Sequence, residues 1–309
     1  MDLQRQLKHS GALILTLTLV ACGQGAAEMS PGLSGLPSAL TSTEATSNLL
    51  PISGPAEYQE SKIIGIRPFI PVRADGSNIE PALRQTLDAF GLITLGNAGS
   101  CSGTHLGNGY VLTAGHCFLE HTSSGSLANQ ACPTIKIHWG YRGSPATGNP
   151  KPVFTGSSNC MKLIYAELSP EKDFAILQVD QPPKAAVGIA TESDRTRDNT
   201  KITIFGYPMG RPLEWSQYCA SKKSTSVAVH PFASPSRMAY QCDTQPGNSG
   251  SSVIAVNSAG VPKVVAVHDA AAPDPIQYNV GTYMYDIRQT LTKNGFNLDR
   301  AVAPQPRKP

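Results

Sequence analysis

The sequence is poor in charged residues. Asp, Glu, Lys and Arg make up 15% of its 309 residues, no run of five basic residues occurs, and the formal net charge is +3. Soluble domains carry about 25% charged residues. This composition argues against a coiled coil, a charged helical array or an acidic disordered chain. It gives no reason to propose a nucleic-acid partner.

The chain also lacks an apolar run long enough to span a bilayer, which needs about 20 residues. Residues 11–21 (GALILTLTLVA) follow Arg5 and Lys8 and lead into Cys22-Gly23. This pattern resembles a bacterial lipoprotein signal, which implies a signal peptide over 1–21 and lipidation of Cys22 as a membrane anchor. Because the residue after Cys22 is Gly23 and not Asp, the signal favours an outer-membrane or cell-surface location. Later processing would release the protein from the anchor. An ordinary cleaved signal is the alternative.

Lys and Arg are absent between Lys8 and Lys62. Within that gap, residues 24–61 are rich in Ser, Thr, Ala, Gly and Pro, so we predict a tether or pro-segment over 22–62. The last nine residues hold three prolines, and we predict a flexible tail over 297–309. A single folded domain is expected over 63–296.

That domain has the pattern of an all-β fold. Short apolar runs alternate with turns rich in the 28 glycines and 25 prolines, and one helix is indicated by Tyr283, Ile287 and Leu291 before Asn294-Gly295. The runs are 92–95, 110–113, 135–139, 174–179, 202–205, 253–256 and 264–267. A β-barrel or sandwich with a C-terminal helix is therefore predicted.

Seven cysteines are an odd number, and Cys22 in the export segment leaves six. Six cysteines suit three disulfides in an oxidising compartment, although they allow fifteen pairings. No CxxC or HExxH motif occurs, so no metal site is predicted.

Three motifs carry nucleophilic chemistry: TAGHC over 113–117, DFAIL over 173–177 and GNSGS over 247–251. They contain His116, Asp173 and Ser249 in that order. A serine hydroxyl needs a nearby base, and an imidazole base needs a carboxylate to hold its tautomer. The motifs and their order resemble those of chymotrypsin-like serine peptidases, over about residues 63–296.

The resemblance implies two six-stranded antiparallel β-barrels with a short C-terminal helix. It implies that His116 is the general base, that Asp173 orients it and that Ser249 is the nucleophile of an acyl-enzyme mechanism without a cofactor. The N–H groups of Gly247 and Ser249 would form the oxyanion hole. Asp180 is the nearest rival to Asp173, but it follows the apolar run instead of opening it.

The same resemblance implies a Cys101–Cys117 disulfide, because the family has one with this spacing beside its catalytic histidine. Cys219 and Cys242 bracket the strand region before the serine loop, which favours their pairing. Cys132 and Cys160 are then left for each other.

A finer resemblance points to bacterial glutamyl endopeptidases. It rests on GYPMGRP over 206–212, on Thr244 five positions before Ser249, and on His268 after the run 264–267. It implies that Thr244 and His268 bind an acidic side chain and that cleavage follows Glu or Asp. The loop before His268 is longer than in the staphylococcal enzyme. The alternative is trypsin-like cleavage after Lys or Arg, selected by Asp243.

Activation is suggested by Lys62-Ile63-Ile64, which resembles a zymogen cleavage site. Cleavage after Lys62 would free the amine of Ile63 to help bind the acidic side chain. We therefore expect a secreted, monomeric serine endopeptidase acting on proteins or peptides. A catalytically silent surface-binding module of the same fold is the rival from another class.

Overall fold

A computed structural model describes residues 61–64, 69–96, 99–119, 124–132, 134–143, 154–194, 196–227 and 229–304. The predictions for the signal peptide, Cys22 and the tether up to residue 60 lie outside these residues, as do those for 305–309. Within the described ranges, no helix combines the length and the apolar character needed to cross a membrane.

The described chain is mostly β-structure. In chain order its strands and helices are β1 (Ile70–Pro71), α1 (Pro81–Arg84), β2 (Phe90–Thr94), β3 (Ser100–Gly107), β4 (Tyr110–Thr113), β5 (Gly125–Gln130), β6 (Lys136–Trp139), β7 (Gly156–Leu168), β8 (Asp173–Val179), β9 (Gly188–Ile189), β10 (Lys201–Gly206), β11 (Glu214–Trp215), β12 (Cys219–Lys223), β13 (Arg237–Tyr240), β14 (Ser252–Val256), β15 (Pro262–Ala271), β16 (Asn279–Tyr283), α2 (Met284–Lys293) and α3 (Leu298–Val302).

The first half forms a closed antiparallel barrel. Six strands pair in the cyclic order β2-β3-β4-β8-β7-β6 and back to β2, while β5 adds to the outside of β7. The inward side chains are apolar, among them Ile93, Val111, Ile137 and Leu177. Closure leaves the six-stranded ring without an unpaired edge, which suits the short strands that the turn-rich sequence predicts.

The second half repeats this architecture. Its cyclic order is β10-β12-β13-β16-β15-β14 and back to β10, with β9 parallel to β15 and β11 linking β1 to β10. Ile202, Ile204, Met238 and Val253 fill its interior. The predicted fold of two six-stranded antiparallel barrels is confirmed.

The barrels meet across an apolar layer that fixes their relative position. Phe90 of β2 stacks on Phe205 of β10 with ring centroids 4.9 Å apart. Next to them Tyr207 is fully buried and donates its hydroxyl to the carbonyl of Phe90 at 2.8 Å. Strands β2 and β10 of the two barrels are therefore held together by this stacked ring pair and by the Tyr207 hydrogen bond.

The C-terminal helix lies where its periodicity predicts. Helix α2 buries Ile287 and Leu291 and ends at Lys293 with Asn294 as its C-cap, after which Gly295 has φ +80°. The predicted tail, however, begins too early. Leu298 is buried, and Asn108 donates to the carbonyls of Ala301 and Ala303, so α3 belongs to the folded domain. One buried leucine in a short helix is too weak a signal to distinguish from a tail.

A buried histidine in β3 gives the fold a dependence on pH. His105 Nδ1 lies 2.7 Å from the carbonyl of Ala185, and its Nε2 accepts the N–H of Gly109 at 3.1 Å. Burial lowers the pKa of His105, partly opposed by the bond to Ala185. The folded protein therefore holds this imidazole neutral, whereas the unfolded chain takes up a proton near pH 6.5.

We expect the free energy of unfolding to fall as the pH drops below about 6.5, because the unfolded state then binds the additional proton. In His105→Gln this fall should be shallower. Urea unfolding at pH 7.5 and 5.0 measures both slopes, and exposed His230→Gln is the control. Equal slopes in wild type and His105→Gln would contradict the assignment.

Candidate active site

His116 lies in a 3-10 turn, Gly115–Cys117, at the end of β4. The disulfide Cys101–Cys117 ties this turn back to β3. Gly115 lies against the opposite strand: a Cβ there would come within 2.1 Å of the carbonyl oxygen of Glu167. The cysteine and the glycine of the TAGHC motif thus hold the imidazole in place.

Asp173 is the first residue of β8 and is completely buried. Its Oδ1 accepts the N–H groups of Gly115 at 2.6 Å and His116 at 3.0 Å, and its Oδ2 lies 2.7 Å from His116 Nδ1. A carboxylate accepts only, so Nδ1 of the imidazole is the donor and carries the proton. The rival Asp180 instead binds Asn159 through both carboxylate oxygens.

Ser249 lies in the loop between β13 and β14, and its backbone contacts the first barrel. Its carbonyl accepts the N–H of Ser102 at 2.8 Å, on the strand paired with the one that leads to His116. At Gly250, a Cβ would meet Ser102 O at 2.2 Å and Ala114 N at 2.9 Å, so only glycine permits this approach. Ser249 Oγ is buried and has no hydrogen-bond partner among the described residues.

The turn that ends at Ser249 contains the two backbone N–H groups that the sequence predicts for the oxyanion hole, those of Gly247 and Ser249. Gly247 has φ +91°, and a Cβ there would come within 2.7 Å of Tyr207 O, so the turn requires glycine. Ser102 Oγ fixes the loop by donating to Gly247 O at 2.8 Å. Neither Gly247 N–H nor Ser249 N–H donates to an acceptor in the part of the chain that the structure describes.

Thr244 lies beside the segment that precedes β1. Its N–H donates to Lys62 O at 2.9 Å, and its hydroxyl oxygen accepts Lys62 N–H at 3.0 Å. Asn279 Nδ2 also donates to Lys62 O, at 2.8 Å. The chain around Lys62 therefore forms part of the wall next to Thr244.

His268, in β15, is fully buried, and its Nδ1 lies 2.6 Å from the hydroxyl of Tyr240. That hydroxyl has one hydrogen and also lies 2.9 Å from the carbonyl of Val280, which can only accept. Tyr240 therefore donates to Val280 and accepts from His268 Nδ1–H. In this tautomer, Nε2 of a neutral imidazole can accept a hydrogen bond, and it donates one only when the ring is protonated.

Asp243 is buried, and its Oδ1 accepts the N–H of Ile64 at 2.5 Å. Burial raises the pKa of Asp243, partly opposed by this bond. Lys62 Nζ contacts Asp274 at 2.6 Å and the carbonyl of Ile276 at 2.9 Å. Its neighbour Ile63 has 55% of its surface exposed.

All six cysteines of the domain are paired in disulfides: Cys101–Cys117, Cys132–Cys160 and Cys219–Cys242. These are the pairs expected from the sequence. The third disulfide ends immediately before Asp243 and so fixes the start of the serine loop. No cysteine of this domain has a thiolate left for a metal.

Several residues of the site escape sequence reasoning. Ser102 joins the serine loop to the first barrel, and Tyr240 sets the tautomer of His268. Asp269, Arg237 and Thr282 form a buried polar cluster next to Asp173. The sequence does contain a signal for Asp269. A charged residue inside the apolar run VVAVHDAAA, residues 264–272, predicts a buried ion pair.

Two closed barrels with a buried Asp–His pair on one and a serine loop on the other define the chymotrypsin-like class of fold. Residues 101–267 match the family model of the trypsin-like peptidase domain. This match covers more than half of the chain, which therefore belongs to the trypsin-like peptidase family, as predicted.

Individual relatives carry the name glutamyl endopeptidase. That of Bacillus licheniformis is 29% identical over 190 residues, which are 60% of this chain and 55% of that protein. The chain thus spans about half the length of this relative. A solved glutamyl endopeptidase in complex with MPD is 20% identical, with a TM-score of 0.51 over 75% of this chain and 98% of its own. At 20% identity, the similarity to this solved structure shows a shared fold.

Proposed function

We propose that the protein is a serine endopeptidase that cleaves peptide bonds through Ser249, His116 and Asp173. The observation that carries the proposal is the Asp173–His116 contact of 2.7 Å, beside a serine loop bonded to the same barrel through Ser102. With Nδ1 protonated, Nε2 of neutral His116 is the basic nitrogen. It takes the proton of Ser249 as Oγ attacks the carbonyl carbon of the substrate.

The remaining steps use the same groups. The oxyanion that forms is bound by Gly247 N–H and Ser249 N–H, and the imidazolium returns its proton to the leaving amine. Water then attacks the acyl-enzyme with His116 as base. In the reacting complex Ser249 Oγ–H donates to His116 Nε2, the hydrogen bond along which the proton moves.

For specificity we propose cleavage after Glu or Asp. Thr244 Oγ1 accepts Lys62 N–H at 3.0 Å and donates to Lys62 O only at the long distance of 3.5 Å, so its hydroxyl hydrogen can turn to a substrate carboxylate. Because Tyr240 holds the proton of His268 on Nδ1, His268 donates to that carboxylate as an imidazolium, in a charge-assisted bond. Selection of Lys or Arg by Asp243 is less favoured, because Asp243 is buried and already accepts Ile64 N–H.

Peptide substrates matched except for Glu, Gln or Arg before the cleaved bond test this proposal. We expect kcat/KM to be at least about tenfold higher for Glu than for Gln, the size of a charge-assisted hydrogen bond. Thr244→Val should reduce the preference for Glu and retain turnover of the Gln peptide. Turnover of the Arg peptide alone would refute glutamyl specificity.

We also propose that the protein is an exported lipoprotein and that the Lys62–Ile63 bond is cut during maturation. The side chain and carbonyl of Lys62 are bound to Asp274, Thr244 and Asn279, so a processing peptidase must first release this segment. Cleavage would replace the neutral Lys62 N–H near Thr244 with the charged amine of Ile63.

Mass spectrometry of the protein from its native host should find a mature N-terminus at Ile63 and an acyl group on Cys22 of the unprocessed form. The control is Lys62→Gln, which should accumulate uncut. Fully active protein with an intact Lys62–Ile63 bond would contradict the activation step, and an unmodified Cys22 would contradict the anchor.

A further inference from the structure

A second carboxylate is buried close to Asp173. Asp269 follows His268 in β15, at an irregularity where the pairing with β16 shifts register. Its side chain is completely inaccessible to solvent. A buried carboxylate is costly unless it is paired and hydrogen-bonded, so its position requires partners.

Its charged partner is Arg237 of β13, which is also inaccessible and donates through Nη1 to Asp269 Oδ1. The other guanidinium nitrogens reach the first barrel: Nε donates to Pro170 O at 2.8 Å and Nη2 to Ser169 O at 3.1 Å. These carbonyls belong to the turn that precedes Asp173. Arg237 thus joins the second barrel to the segment that presents the triad carboxylate.

Thr282 of β16 completes the connection. Its hydroxyl donates to Asp269 Oδ2 at 2.7 Å and accepts the N–H of Asp173 at 2.9 Å. A continuous buried chain of hydrogen bonds therefore runs from Arg237 through Asp269 and Thr282 to the main chain of Asp173. The two ends of the proposed triad lie on different barrels, and this chain crosses between the barrels.

We propose that Asp269, paired with Arg237 and linked through Thr282, is a positioning residue that holds Asp173 and His116 in register with the second barrel and supplies a negative charge behind them. This inference rests on the proposed function. Asp269 and Asp173 repel each other as carboxylates, and the Arg237 cation offsets this repulsion, so both can lie in the buried cluster. Loss of Asp269 would therefore change both the positions of Asp173 and His116 and the charge close to them.

The charged and titratable groups around Asp269 come from several elements. Arg237 and Tyr240 face it from β13, Asp173 from β8 and His116 from the turn after β4. Burial raises the pKa of Asp269, Arg237 lowers it, and Asp173 raises it. In return, a negative Asp269 favours the imidazolium form of His116.

The test compares Asp269→Asn, the double variant Asp269→Asn/Arg237→Met, and Thr282→Val, using kcat, KM and the pH profile of kcat/KM with the Glu peptide. In Asp269→Asn an uncompensated Arg237 cation remains. We expect kcat to fall by about 10- to 100-fold with KM unchanged, because a displacement of about 1 Å in the reacting groups can cost about 10²-fold. The acid limb should move to lower pH, because the imidazolium loses a favourable neighbour.

The other variants separate charge from geometry. The double variant removes both charges, so its acid limb should return toward that of wild type while kcat stays low. Thr282→Val keeps both charges and breaks the link to Asp173, so kcat should fall with an unmoved acid limb. Asp299→Asn is the control, since it breaks the Arg288–Asp299 ion pair between α2 and α3 and should change neither quantity.

Melting temperatures are measured alongside, because a merely structural role would lower them without moving the acid limb. An active wild type in which Thr282→Val retains full kcat, or in which a folded Asp269→Asn keeps the wild-type pH profile, would overturn this proposal alone. An inactive wild type would contradict the proposed function, and this proposal with it.

Discussion

Ser249→Ala should abolish labelling by a fluorophosphonate probe and lower kcat by about 10⁴ to 10⁶-fold. The probe forms a covalent bond to a serine oxygen that an adjacent base has activated, and alanine removes that oxygen. The backbone donors of Gly247 and Ser249 remain, so the residual rate should exceed that of uncatalysed hydrolysis.

A serine in the same loop provides the control for this experiment. Ser251 lies two positions further on and is also buried, but it directly precedes β14 and is not the proposed nucleophile. Ser251→Ala should retain labelling. Absence of labelling in correctly processed wild type would favour the silent binding module, and labelling of Ser249→Ala would show that another residue is the nucleophile.

Asp173→Asn should lower kcat by about 10⁴-fold, the loss expected when the wrong histidine tautomer faces the serine. Two backbone donors, Gly115 N–H and His116 N–H, bind one carboxylate oxygen. In the amide they retain the carbonyl oxygen, so the NH₂ group must face His116 Nδ1. That nitrogen then becomes an acceptor, and the ring proton moves to Nε2, where it blocks attack by Ser249.

The matched control is Asp180→Asn, which changes the rival aspartate in the same strand region and should leave kcat unchanged. The tautomer is checked by ¹⁵N NMR of the imidazole, which distinguishes a protonated Nδ1 from a protonated Nε2. An Asp173→Asn enzyme within tenfold of wild type, or one with its proton still on Nδ1, would contradict this account.

Much of the fold could be predicted because local pattern and architecture agree. The apolar runs in β4, β8 and β10 alternate with turns, and their side chains fill the barrels as expected. Other strands gave weak signals. Strand β7 is 13 residues long but mixes polar and apolar positions, and β3 (SCSGTHLG) has only one large aliphatic residue. These strands depend on pairing with distant partners, which periodicity does not report.

The residues of the candidate site also fall into two groups, those that the sequence predicts and those that it does not. His116, Asp173 and Ser249 are found from short motifs because their chemistry demands particular neighbours along the chain. The residues that hold them come from remote segments: Ser102 in β3, Tyr240 in β13 and Thr282 in β16. A serine, a tyrosine and a threonine in strands are common, and their roles exist only after the barrels have closed.

The contacts around Thr244 affect which part of this chain could be exchanged with a related enzyme. The family match ends at residue 267 and begins at residue 101, whereas Thr244 is bonded to Lys62 and His268 to Tyr240. Lys62, His268 and Asn279 all lie outside the matched span. The part of the chain that carries the family signature is therefore not an independent cassette. An exchange of residues 101–267 between relatives would carry Thr244 and the proposed triad but leave His268 and Asn279 with the recipient's flanking segment.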